Sequence, residues 1–155
     1  MVSEALFSKN RRLFRCSPAE RETIVEALGE VLREEPDVLF AYVHGSSVAE
    51  GPFHEVDVGV YLVPGPEAGW ERRIRLAEAL EEAVSSSVGP GVAPPVDVRM
   101  LNWAPLGFCY QVVRRGKLVF SRDDVLRAEW VAGVAARYLD LRPLRMRALR
   151  EAMTA

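Results

Sequence analysis

The residues best suited to chemistry are a glycine–serine pair and two aspartates. Gly45-Ser46 directly follows an apolar run, Val38 to Val43, and opens a polar loop. Glycine lets a backbone approach a ligand closely. Exposed amides in such a turn, helped by the Ser46 hydroxyl, suit phosphate oxygens. The same pair also serves as a plain turn. Ten residues, Ser47 to Val56, then lead to Asp57, and Asp97 stands on a later segment of the same apolar–polar alternation. Two carboxylates converging on one face can hold a divalent cation such as Mg2+. That ion would neutralise a triphosphate and polarise the phosphorus under attack. Hard oxygen ligands are what it asks for, and Asp supplies them where His or Cys would not.

Several elements must position these side chains. Ser17-Pro18-Ala19-Glu20 reads as a helix start with a capping box. Ile24, Val25, Leu28, Val31 and Leu32 follow at helical spacing, and Pro36 ends the helix. Val38 to Val43 reads as a buried strand. In Val56 to Leu62 the aliphatic residues alternate with Asp57, Gly59 and Tyr61, so Asp57 lies on the opposite face from the valines. A helix over roughly 67–85 is expected to bury Trp70, Ile74, Ala77, Leu80 and Val84. A loop follows over 85–95, then an alternating strand from Val96 to Leu101 with Asp97 and Arg99 on one face. A short helix near 105–115, a stop at Gly116, a strand at 117–121 and a last helix from Asp123 complete the order, with Leu126, Trp130, Val134 and Tyr138 on that helix. Interspersed helices and strands argue for an α+β domain: a small mixed β-sheet with helices packed on one face and the aspartates on the open one.

Composition narrows the classes. The chain has 155 residues, 49% hydrophobic and 27% charged, which suits one globular domain over 1–155. Residues 1–16 read as an arm and 143–155 as a tail. A net charge of −2 supplies no global pull toward nucleic acid or an anionic membrane. No apolar run is long enough to span a bilayer, and Met1-Val2-Ser3-Glu4 lacks a signal-peptide pattern, so a cytoplasmic location is expected. Cys16 and Cys109 read as two reduced thiols. His44 and His54 form no metal motif. Arg72, Arg73 and Arg75, among glutamates, read as a solvated helix face with i,i+4 pairs. Arg114, Arg115 and Lys117 read as a small basic corner.

The segment Leu39 to Gly51, continuing through Val56-Asp57-Val58-Gly59-Val60, resembles the signature of the DNA-polymerase-β-like nucleotidyltransferase superfamily. There a Gly-Ser pair is followed by ten residues and then Asp-x-Asp. Val96-Asp97-Val98 resembles the third-carboxylate strand, and Val112 to Phe120 the segment that closes the fold in minimal members. In size and layout the chain resembles the minimal nucleotidyltransferase (MNT) antitoxins of MNT–HEPN toxin–antitoxin pairs, whose active members move AMP from ATP onto a tyrosine of the toxin. The resemblance implies that Gly45 and Ser46 contact nucleotide phosphates. It implies that Asp57 and Asp97 hold metal, with Asp97 also helping to activate the attacking hydroxyl. It implies Mg2+, ATP and a HEPN toxin as partner, and it leaves self-association open.

One departure matters. The second Asp of Asp-x-Asp is Gly59 here, so one of three expected metal carboxylates is missing. Losing it predicts a degraded site with weak or no transfer, since each 1.4 kcal/mol of lost stabilisation is about tenfold in rate. Glu55 shares the Asp57 face but sits toward the loop, on the other side of Asp57 from the missing position. Arg99 shares a face with Asp97, and an ion pair there would need no metal. An active Mg2+-dependent adenylyltransferase is the alternative.

Overall fold

The computed structural model describes residues 12–65, 69–89 and 93–154. Helix α1, Pro18–Glu34, starts as its sequence dictates: the Ser17 hydroxyl accepts from the Glu20 amide, and the Glu20 carboxylate accepts from the Ser17 amide. Strand β1, Val38–His44, runs into a 3-10 turn, Gly45–Val48, and strand β2 is Val56–Leu62. Helix α2, Trp70–Val88, strand β3, Val96–Met100, and helix α3, Leu106–Arg115, follow. Strand β4, Lys117–Ser121, and helices α4, Asp124–Asp140, and α5, Arg142–Thr154, end the chain. Most of the expected arm lies outside the described residues. Of its inner end, Phe14 pairs with Phe53 through both backbone hydrogen bonds.

The sheet is mixed, in the order β3-β2-β1-β4. β1 is antiparallel to β2 and β4, whereas β2 and β3 are parallel, with Asp57 opposite Asp97 and Gly59 opposite Arg99. Period-two alternation sends Val56, Val58, Val60, Val96 and Val98 to one face. There they pack with Leu28 and Leu32 of α1 and with Leu76, Leu80 and Val84 of α2. Each fully buried leucine contributes about 1.5–3 kcal/mol by leaving water.

The opposite face carries a second cluster. Phe40, Tyr42 and Leu101 pack there with Cys109 and Val112 of α3 and Val134 of α4, and Tyr61 and Trp130 lie against them. The aspartate face is therefore open at the start of β2 and covered further along.

Helix α2 departs from its expected stripe. Leu76, Leu80 and Val84 are buried, but Trp70 and Ile74 are exposed. The first turn of α2 borders the end of β3 and the loop beyond it, not the aliphatic face. The helix also runs to Val88, past the expected end at 85. Within the added turn Ser87 donates its hydroxyl to the Val84 carbonyl, and Gly89, at φ +93°, stops the helix. The expected tail is helical, and Pro143 sits in the first turn of α5, where no amide partner is needed. Both cysteines are free thiols.

Candidate functional site

Three strand ends build the site: the end of β1 and the starts of β2 and β3. Gly45 follows β1 at φ +74°, a left-handed conformation that favours glycine. A Cβ at Gly45 would lie 2.3 Å from Asp57 Oδ2. The Asp57 carboxylate thus rests directly on the Gly45 backbone, and no other residue leaves room for it. Ser46 is exposed in the same turn, while Ser47 is buried and donates its hydroxyl to the His44 carbonyl. Arg21 of α1 fixes the loop from behind. It donates to the carbonyls of Ser47 and Gly51, and its guanidinium lies over the Phe53 ring.

Parallel pairing of β2 with β3 sets Asp57 beside Asp97. Carboxylate oxygens of Glu55, Asp57 and Asp97 come within 4.8 Å of one another. Burial first, then the negative charges of Glu55 and Asp97, push the Asp57 carboxyl up to about 7, with Arg99 pulling the other way. Glu55, one residue before β2, joins the group from the loop side.

Position 59 is a packed position. A Cβ there would stand 3.0 Å from Leu101 Cδ2 and 3.3 Å from its Cγ. Leu101, 2% exposed, would have to give by a few tenths of an ångström to admit any side chain at position 59. Sequence reasoning missed this neighbour because Leu101 stands beyond β3, where spacing along β2 gives no sign of it.

Asp97 is engaged by two arginines. Arg73 Nη2 lies 3.1 Å from Asp97 Oδ1, and Arg99 Nε lies 3.7 Å from Asp97 Oδ2. Arg73 also donates through Nε to the Val98 carbonyl on the edge strand, and Arg99 lies over the Phe108 ring. The expected solvated face of α2 is thus corrected: Arg73 reaches the site, and Arg72 bridges Glu35 at 2.7 Å and Asp37 at 2.6 Å. Among the described residues no i,i+4 pair forms on α2. Long side chains near the sheet found carboxylates on other elements closer than those on their own turn.

A cleft of about 420 Å3 opens beside Gly45, lined by His44, Val48, Phe108, Gln111 and Arg115. Arg115, part of the expected basic corner, faces this cleft. His44 Nε2 is buried there with no hydrogen-bond partner, and its ring meets Phe108 edge-on at 5.1 Å. Burial, then Arg99, lowers the His44 pKa, with Asp97 pulling the other way. His54 lies away from this cleft and donates through Nδ1 to the Arg12 carbonyl at 3.1 Å.

The donor set fits one hard divalent cation. Three carboxylates crowd together, and their mutual repulsion is what a cation relieves. A second ion would lack the ligand that position 59 does not supply.

A mixed sheet with a Gly-Ser turn facing paired carboxylates is the layout of nucleotidyltransferases. Residues 26–125 match the polymerase beta nucleotidyltransferase family, and the chain belongs to it. Among solved structures it resembles the tri-AMPylated Shewanella oneidensis HEPN toxin in complex with MNT antitoxin. That likeness has a TM-score of 0.65 and 20% identity, over 86% of this chain and 98% of the other. A toxin–antitoxin structure with AMP-PNP is similar at TM-score 0.65 and 20% identity, over 83% and 98%. The MntA–HepT toxin–antitoxin structure is similar at TM-score 0.61 and 20% identity, over 88% and 99%. No curated protein matches the chain. Among the described residues, no helix is long and apolar enough to cross a membrane.

Proposed function

We propose that this chain is an MNT-type antitoxin that binds a HEPN toxin, with weak or no nucleotide transfer of its own. The fold shared with toxin–antitoxin complexes supports the partner. One observation carries the catalytic half: position 59 has no carboxylate, and Leu101 fills the space beside it. Arg73 and Arg99 on Asp97 support it further, because a carboxylate paired twice is a poorer metal ligand and a poorer base. In this reading Gly45 and Ser46 contact the phosphates of ATP. Asp57 and Asp97, with Glu55, hold one Mg2+, whose chemistry is to neutralise phosphate charge. The whole chain acts as one domain in the cytoplasm.

Glu55 favours a second reading, an active adenylyltransferase transferring AMP onto a protein hydroxyl, because it restores a third carboxylate to the cluster. Co-expression with a HEPN-domain protein from the same genome tests the partner. A 1:1 or higher-order complex on size exclusion is the expected result. Two separately eluting proteins at micromolar concentration would overturn it.

A further inference from the structure

A groove adjoins the carboxylates on the outer side of β3. The first turn of α2, the end of β3 and the loop leading to α3 enclose about 450 Å3, lined by Trp70, Arg73, Arg99, Met100, Trp103 and Pro105. Trp70 is 70% exposed and Trp103 61%. Trp130, by contrast, packs on Phe40 at 5.1 Å and Tyr61 at 5.9 Å. Two indoles left in water around one groove form an exposed apolar patch of the kind that marks an interaction site. Its charge is one-sided. Arg73 and Arg99 bring two positive charges against the single carboxylate of Asp97, and their side chains remain 47% and 56% exposed. Each guanidinium carries five N–H donors, more than these contacts use. No acidic side chain lines the groove among the described residues.

We propose that this groove docks an acidic peptide segment of a partner protein, with a carboxylate on Arg73 and Arg99 and an apolar or aromatic side chain between Trp70 and Trp103. The inference rests on the reading above that the chain binds a protein. Arg pairs with carboxylates through two parallel hydrogen bonds, and Trp supplies large, rigid contact area. The two types are over-represented among residues that dominate protein–protein binding. A nucleic-acid strand suits the groove less, because the chain carries a net charge of −2. A segment docked here lies against Asp97, since the same arginines hold both.

The test is a titration of the full-length protein with the end-blocked peptide Glu-Glu-Phe-Glu-Glu, followed by tryptophan fluorescence. A saturable change is expected. Binding should weaken about tenfold for Gln-Gln-Phe-Gln-Gln, and at least about fivefold in Trp103→Ala and in Arg99→Ala. Trp70 remains as reporter in Trp103→Ala, and thermal melts verify that each variant folds. No saturable change, equal binding of the glutamine peptide, or undiminished binding by both folded variants would overturn the proposal. The titration contains no toxin, so its outcome is distinguishable from that of complex formation.

Discussion

Asp57 and Gly59 share one strand face, yet opposite forces act on them. Asp57 is crowded by like charges and burial, which raise its carboxyl to about 7. The folded state therefore binds this proton more tightly than the unfolded chain, whose carboxyl titrates near about 4. Stability contributed by the protonated group is fully present below about 4 and is lost as pH rises through 7. Asp57→Asn removes that loss. The variant should match the parent near pH 4 and exceed it at pH 8 by about 1–2 kcal/mol, a figure already reduced for solvent screening of a half-buried group. Thermal melts across that range check it, and a parent that is the more stable at pH 8 would contradict it. Gly59 presents a packing problem. Gly59→Asp alone should destabilise the protein by about 1–3 kcal/mol, because the new side chain meets Leu101. Mn2+ affinity, read by calorimetry, should rise only when Leu101→Ala is added to make room. A full gain from Gly59→Asp alone would show that Leu101 yields freely.

Elements followed the sequence wherever a local signal was unambiguous. The Ser17–Glu20 capping box, the alternation of Val56 to Leu62 and the stop at Gly116 each fixed a boundary through short-range chemistry. The Gly-Ser turn and both aspartates were legible for the same reason: strand period and spacing place them at one sheet end. Contacts between distant segments were not. Trp70 falls on the helical stripe of α2, but it lines the open groove beside Met100 and Trp103 at the edge of the sheet, so the indole stays in water. Arg72 and Arg73 sit among glutamates in sequence but bond partners 24 to 37 residues away. Nothing in a local pattern encodes those distances. The Arg72 bridge ties α2 to the entrance of β1, with its guanidinium side chain 12% exposed. Arg72→Ala should cost about 1–3 kcal/mol at neutral pH. Arg72 holds the Asp37 carboxyl below its ordinary range, so this stabilisation is present above the unfolded carboxylate pKa and is lost as pH falls through the lower, folded one. The gap between parent and variant melts should therefore narrow from pH 6 to pH 2.5. A gap independent of pH would assign the loss to packing of the Arg72 stem.

At the scale of the whole molecule, the chain keeps a nucleotidyltransferase scaffold and leaves much of its last helix uncovered. Among its described residues α5 buries none, and Leu144, Met146, Leu149 and Met153 are exposed beside four arginines. Its start is fastened where Arg145 donates to the Tyr138 carbonyl at 2.7 Å and lies over its ring. The proposed function makes this scaffold a binder of a partner rather than a catalyst of nucleotide transfer. The direct test is transfer of label from α-phosphate-labelled ATP in Mg2+ to a HEPN protein purified in complex with this chain. The account expects transfer at least about a hundredfold slower than in the same complex carrying Gly59→Asp with Leu101→Ala, a difference of about 2.7 kcal/mol in barrier. Robust labelling by the unaltered chain, abolished by Asp57→Asn, would contradict it.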